Sequence, residues 1–151
     1  MKIFDCFMYF DEEKVLELRL NILDEYVDYF VIVESSFTHK GDKRNLKFNH
    51  QKFKKFKDKL IYITYDEEPP EIKKNLINEK DDEATKSFKY IENAILRENS
   101  QRNHILKGLD LAKDDDMILI SDVDEIPNLE NLDLSKISEK ITLFKQDMFY
   151  Y

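Results

Sequence analysis

Met117-Ile118-Leu119-Ile120 runs without a polar break. Three acids then fall within four positions, at Asp122, Asp124 and Glu125, and Pro127 ends the segment. A strand that is apolar on both faces needs cover on both faces, which is the condition of a parallel sheet with helices on either side. Carboxylates at the C-terminal end of such a strand lie where open α/β sheets bind their ligands. Asp122 and Asp124 point the same way if the strand continues and converge if it bends into a turn. Two carboxylates held that close repel each other unless they share a cation. Oxygen ligands of this kind suit Mg²⁺ or Mn²⁺, often with substrate phosphates completing the shell. On local features alone, a solvated turn fits the three acids as well as a cation site does.

The remainder of the chain alternates in the same style. Ile3–Tyr9 reads as a first strand, with Asp5 its one charged residue. Leu16, Leu20, Leu23 and Val27 recur at helical spacing and predict an amphipathic helix over 12–26, opened by the acids Asp11, Glu12 and Glu13. Tyr29–Val33 is a second buried strand that ends in Glu34. Residues 51–58 suggest a short helix with Phe53 and Phe56 on one side, and Leu60–Tyr65 is a third strand. Residues 66–83, with Pro69-Pro70 and many charges, read as a surface loop or flap. Phe88, Ile91, Ile95, Ile105 and Leu109 mark a helix over 84–112, in which Glu98 and Arg102 have the favourable i,i+4 order. The fourth strand is 117–121, a short helix or turn falls within 128–140, and Ile141–Phe144 starts a fifth strand. The alternation predicts a single α/β domain over residues 1–151, a Rossmann-like, mostly parallel sheet flanked by helices.

Composition removes several functions. A net charge of −8 argues against nucleic acid as a partner. No apolar run approaches the length of a membrane span, and the N-terminus lacks a signal-peptide pattern. Only Gly41 and Gly108 are glycines, so dinucleotide and P-loop fingerprints are excluded. Cys6 is the one cysteine and is expected to pack as a small buried residue. His39, His50 and His104 show no metal-ligand spacing. Residues 40–59 hold nine Lys or Arg against two acids, a run that reads as a solvated helix face more readily than as an anion surface. Glu34 fits either a solvated strand end or an acceptor for a ribose or base. Thr38–Gly41 fits a plain turn or a loop closing over a ligand. Arg102 fits a surface pair with Glu98 or a reach toward Asp122 or an anionic ligand.

Several segments taken in order resemble glycosyltransferase family 17. They are Lys2–Phe10, Glu17–Leu20, Val27–Glu34, Thr38–Gly41 and Ile120–Pro127. The resemblance implies a GT-A-like fold, a nucleotide-sugar donor such as UDP-GlcNAc, a glycan acceptor, and Mn²⁺ or Mg²⁺. Asp122 and Asp124 would then be the DxD motif that holds the metal on the donor diphosphate. It places Asp5 and Glu34 near the nucleoside and Arg102 near the diphosphate or the acidic cluster. It also implies inversion at the anomeric centre, which needs a base, for which Glu125 is the candidate. Family members are markedly longer, and only 24 residues follow Pro127, so the chain resembles a donor-binding part of a GT-A domain. With no anchor in the sequence, a cytoplasmic location is expected. Two other readings stand beside this one. The first is a non-catalytic nucleotide-sugar-binding domain that needs a partner or self-associates through Phe149–Tyr151. The second is a haloacid-dehalogenase-like phosphatase, whose Asp-x-Asp contains a nucleophile but normally lies near the N-terminus.

Overall fold

Side chains along a strand alternate between faces, and each face of this sheet carries its own core. The computed structural model describes residues 1–73 and 77–147. Four strands, β1 (Ile3–Tyr9), β2 (Tyr29–Ser35), β3 (Leu60–Tyr65) and β4 (Met117–Ile120), form an all-parallel sheet in the order β3-β2-β1-β4. Phe4 pairs with Tyr29 and Tyr9 with Glu34, while Ile3 pairs with Met117 and Cys6 with Ile120. One face carries Phe7, Tyr9, Phe30, Ile32 and Leu119 against Leu16, Leu20 and Leu23 of helix α1 (Glu13–Leu23). The opposite face carries Phe4, Cys6, Val31, Val33 and Tyr65 against Ile105, which follows helix α2 (Glu83–Asn103). No helix here is long and apolar enough to cross a membrane among the described residues.

The aromatics of the basic run belong to the α1 core: Phe53 and Phe56 are buried there, Phe53 just before and Phe56 at the end of a single 3-10 turn at Lys54–Phe56. Three of its lysines reach acids on α1 or at its C-terminal end. Lys52 pairs with Glu13 and Glu17, and Lys55 and Lys59 with Asp24.

Helix α2 begins with an Asp82 side chain that accepts the Thr85 N–H at 2.8 Å. It ends earlier than the periodicity predicts, because a 3-10 turn at His104–Gly108 replaces its last turns. A Cβ on Gly108 would collide with the side chains of Val31 and Ile63, so glycine lets this turn press onto the sheet. The inward face of α2 is polar, with Asn93 and Gln101 its buried residues. Phe88, Ile91 and Ile95 therefore face solvent despite their apolar spacing.

The fifth strand expected at Ile141–Phe144 does not form. Residues 141–147 have no strand neighbour, and Ile141 and Leu143 are 84% and 89% exposed. An apolar run becomes a strand only where a sheet edge accepts its backbone. The aromatic tail Phe149–Tyr151 lies outside the described residues.

Candidate functional site

The strand order fixes where a ligand can sit. The chain steps from β1 to β2 to β3 on one side, then returns to place β4 on the other side of β1. Connections therefore diverge between β1 and β4, and the crevice at their C-terminal ends is the switch point of the sheet. The acidic segment emerges at that edge.

β4 ends at Ile120, so Asp122 and Asp124 are not consecutive residues on one strand face. Instead, the Glu125 N–H donates to the Asp122 carbonyl at 3.0 Å and closes a β-turn over Asp122–Glu125. Asp at the first position is favoured in such a turn. Val123 is buried in the α1-side core, while Asp122, Asp124 and Glu125 are exposed. The Asp122 N–H donates to Glu125 Oε2 at 3.2 Å, and the Ser121 hydroxyl donates to the Glu125 carbonyl at 3.0 Å.

Beneath the turn lies Arg19 of α1, whose side chain is 0% exposed. Its Nε and Nη2 donate to the two Asp5 carboxylate oxygens at 2.8 and 2.7 Å. Nη2 also donates to Ser121 Oγ at 2.7 Å. Nη1 donates to the carbonyls of Asp122 at 2.7 Å, Val123 at 3.2 Å and Glu125 at 3.2 Å. The guanidinium carbon stands 4.6 Å from the centroid of the Phe7 ring. Among the described residues, no buried side-chain nitrogen or oxygen lacks a hydrogen-bond partner.

Arg102, near the end of α2, approaches the turn from outside. Its Nη2 lies 3.0 Å from Glu98 Oε1 and 3.1 Å from Asp122 Oδ1.

Asp5 and Glu34, which the resemblance places near the nucleoside, both turn into the protein. Both are 0% exposed. Asp5 gives its oxygens to Arg19. Glu34 accepts from the Lys47 N–H at 2.6 Å, the Phe48 N–H at 3.0 Å and the Tyr62 hydroxyl at 2.8 Å, and pairs with Arg44 at 3.1 Å. Burial, with the Glu34 bond second, pushes the Tyr62 hydroxyl above its ordinary range. Glu34 thus pins the segment after β2. The Thr38–Gly41 stretch within that segment is a turn: the Gly41 N–H donates to the Thr38 carbonyl at 2.9 Å, and Gly41 has φ +97°. Arg97 of α2 ties this turn down through the His39 carbonyl at 3.1 Å and Glu68 at 2.7 Å. The structure therefore gathers Asp5, Arg102, Asp122, Asp124 and Glu125 around one turn and leaves Glu34 in a separate network.

No three His, Cys, Asp or Glu side chains converge into a metal cage among the described residues. Two exposed carboxylates on one tight turn still fit a hard divalent ion. Mg²⁺ in particular is commonly held by one or two protein carboxylates, with water and substrate phosphates filling the rest of its shell.

The model of glycosyltransferase family 17 matches residues 1–146. The chain belongs to glycosyltransferase family 17. Among similar proteins is the human beta-1,4-mannosyl-glycoprotein 4-beta-N-acetylglucosaminyltransferase, 30% identical over 120 residues, covering 77% of this chain and 20% of that protein. The Rattus norvegicus protein of the same name is 30% identical and the Mus musculus protein 29%, with the same coverage. This family 17 chain thus spans 20% of the length of the curated relatives it matches. No solved structure matches it.

Sequence reasoning missed Arg19 beneath the turn and Arg44 in the separate Glu34 network. For Arg19 a signal was present. It falls in the stripe of Leu16, Leu20 and Leu23, where a lone charge needs a buried partner, and Asp5 is the one charge in β1. Arg44 gave no such signal, being one cation in a basic run.

Proposed function

We propose that this family 17 chain supplies the donor-binding part of a metal-dependent glycosyltransferase. It would move a sugar, GlcNAc, from a UDP-sugar to a glycan acceptor with inversion. The observation that carries this reading is the exposed Asp122–Glu125 turn at the β1/β4 switch point, with Arg102 beside it. Family membership and the names of the relatives support the transferase class and the GlcNAc donor.

In this reading Asp122 and Asp124 hold Mn²⁺ or Mg²⁺. When bound, the ion would supply Lewis-acid neutralisation of the departing nucleoside diphosphate. Arg102 offers a guanidinium to the same anion and exchanges its pairing with Asp122 for a phosphate oxygen. Glu125 is the proposed base for the acceptor hydroxyl, and its carboxylate is kept at the turn by the Asp122 N–H. Asp5 and Glu34 act through the groups they hold, not by touching the donor.

The test is calorimetric titration with UDP-GlcNAc and with UDP, each with and without Mn²⁺. It is run on the wild type and on Asp122→Ala/Asp124→Ala. The expected result is binding that requires Mn²⁺ and disappears in the double variant. Metal-independent binding, or binding that survives the double substitution, would move the donor site away from this turn.

A further inference from the structure

We infer that Arg19, anchored by Asp5, is the positioning residue that holds the Asp122–Glu125 turn with its carboxylates outward. The metal-site part of this inference rests on the function proposed above. The geometry of the turn itself does not.

A β-turn that leaves a sheet edge has backbone oxygens that must point somewhere. Here the oxygens of Asp122, Val123 and Glu125 all point inward to one nitrogen, Arg19 Nη1. With these carbonyls and the Val123 side chain directed into the protein, the turn presents Asp122, Asp124 and Glu125 to solvent. The second guanidinium nitrogen holds Ser121 Oγ, which itself donates to the Glu125 carbonyl, so both ends of the turn are tied to the same group. Arg19 is in turn fixed on its far side. Asp5 grips it through two parallel bonds, and the Phe7 ring covers one face of the guanidinium. A planar fork with five N–H donors reaches all six acceptors, two carboxylate oxygens, a hydroxyl and three carbonyls, with one Nη1 N–H shared between two carbonyls. A lysine ammonium has three donors and no fixed plane.

The linkage joins the consecutive elements β1 and α1 to the turn after β4, 103 residues beyond Arg19. None of its members needs to touch a ligand. Its effect on a bound cation would be that of an outer-shell partner, whose loss commonly lowers metal affinity about 10- to 100-fold.

Removing one member of a buried pair risks unfolding, so the informative variant removes both charges. Arg19→Met with Asp5→Val leaves an apolar contact between α1 and β1 and takes away every guanidinium donor beneath the turn. Arg19→Lys is the second variant. It keeps the ion pair and loses the fork, so it carries the same readouts if the double variant does not fold. The first readout is amide hydrogen exchange in the 151-residue chain, free of metal. Glu125 and Ile126, whose N–H groups close the turn, should lose protection while β1 and β2 keep theirs. The second readout is the affinity of the folded protein for Mn²⁺ with UDP, expected to fall about 10- to 100-fold in both variants. A purely structural role would lower the melting temperature and leave turn exchange and affinity alone, which would overturn the inference. So would full rescue by lysine, since charge would then suffice. If the wild type binds no Mn²⁺ with UDP but the variants release turn protection, the positioning role stands and the donor-site proposal fails.

Discussion

Arg19 and Arg102 are cations beside the same acidic turn, and burial gives them different work. Arg19 and Asp5 are fully buried, so deleting either partner alone leaves an uncompensated interior charge at a cost of about 3–5 kcal/mol. The Arg102 side chain is 36% exposed and that of Asp122 53%, so their pairing contributes about 0–1 kcal/mol to stability. Arg102→Ala is therefore a clean probe of ligand binding. It should leave the denaturant midpoint nearly unchanged and weaken UDP binding in the presence of Mn²⁺ about tenfold, the scale of one lost charge-assisted hydrogen bond. Unaltered affinity by calorimetry would remove Arg102 from the donor site. At this scale Asp122, Asp124, Glu125 and Arg102 were legible in the sequence as a group, because an acidic burst after an apolar strand and an i,i+4 ion pair are local patterns. The inward direction of Asp5 and Glu34 was not, since a strand-end carboxylate looks the same whether it meets water or a buried guanidinium.

Helices α1 and α2 show how little an apolar stripe says about its cover. Leu20 and Ile91 both sit in such stripes, yet Leu20 is buried under the sheet and Ile91 stands in solvent. Leu20→Ala should cost about 2–5 kcal/mol through lost burial and the cavity left behind. Ile91→Ser should stay within about 0.5 kcal/mol. Chemical denaturation of the two variants checks the contrast, and equal losses would mean that α2 packs more closely than its exposure indicates. The physical difference lies in which face turns inward: α1 buries Leu16, Leu20 and Leu23, whereas α2 buries Asn93 and Gln101 and leaves its apolar stripe outside. The expected strand at Ile141–Phe144 failed for a related reason. Its residues have strand propensity, but no neighbouring backbone pairs with them.

At the scale of the molecule, burial holds the Cys6 thiol and the Tyr9 and Tyr62 hydroxyls in neutral form, and together they contribute to the response to alkali. Burial first, and Asp5 next, pushes the Cys6 thiol from an ordinary 9.0 to about 12. Burial, then Glu34, pushes the Tyr9 hydroxyl from 10.0 to about 12. Both are raised relative to the unfolded chain, so their contribution is complete below pH 9.0 and is lost as the pH climbs toward about 12. Urea midpoints measured between neutral pH and pH 11 should fall steadily above 9, and Tyr9→Phe should flatten part of that fall. A level profile would mean that these groups are not buried as described. The alternation of apolar runs and helical stripes determined the four strands, the two helices and the α/β class, because backbone periodicity and burial are properties of local sequence. It also placed the acids at a strand end. Only the tertiary structure decided the order β3-β2-β1-β4, which puts that strand end at a switch point. It alone brought Arg19 under the turn from 103 residues away. Such a pairing depends on which buried charges the packed sheet and helix bring within hydrogen-bond reach, and no local pattern encodes that distance.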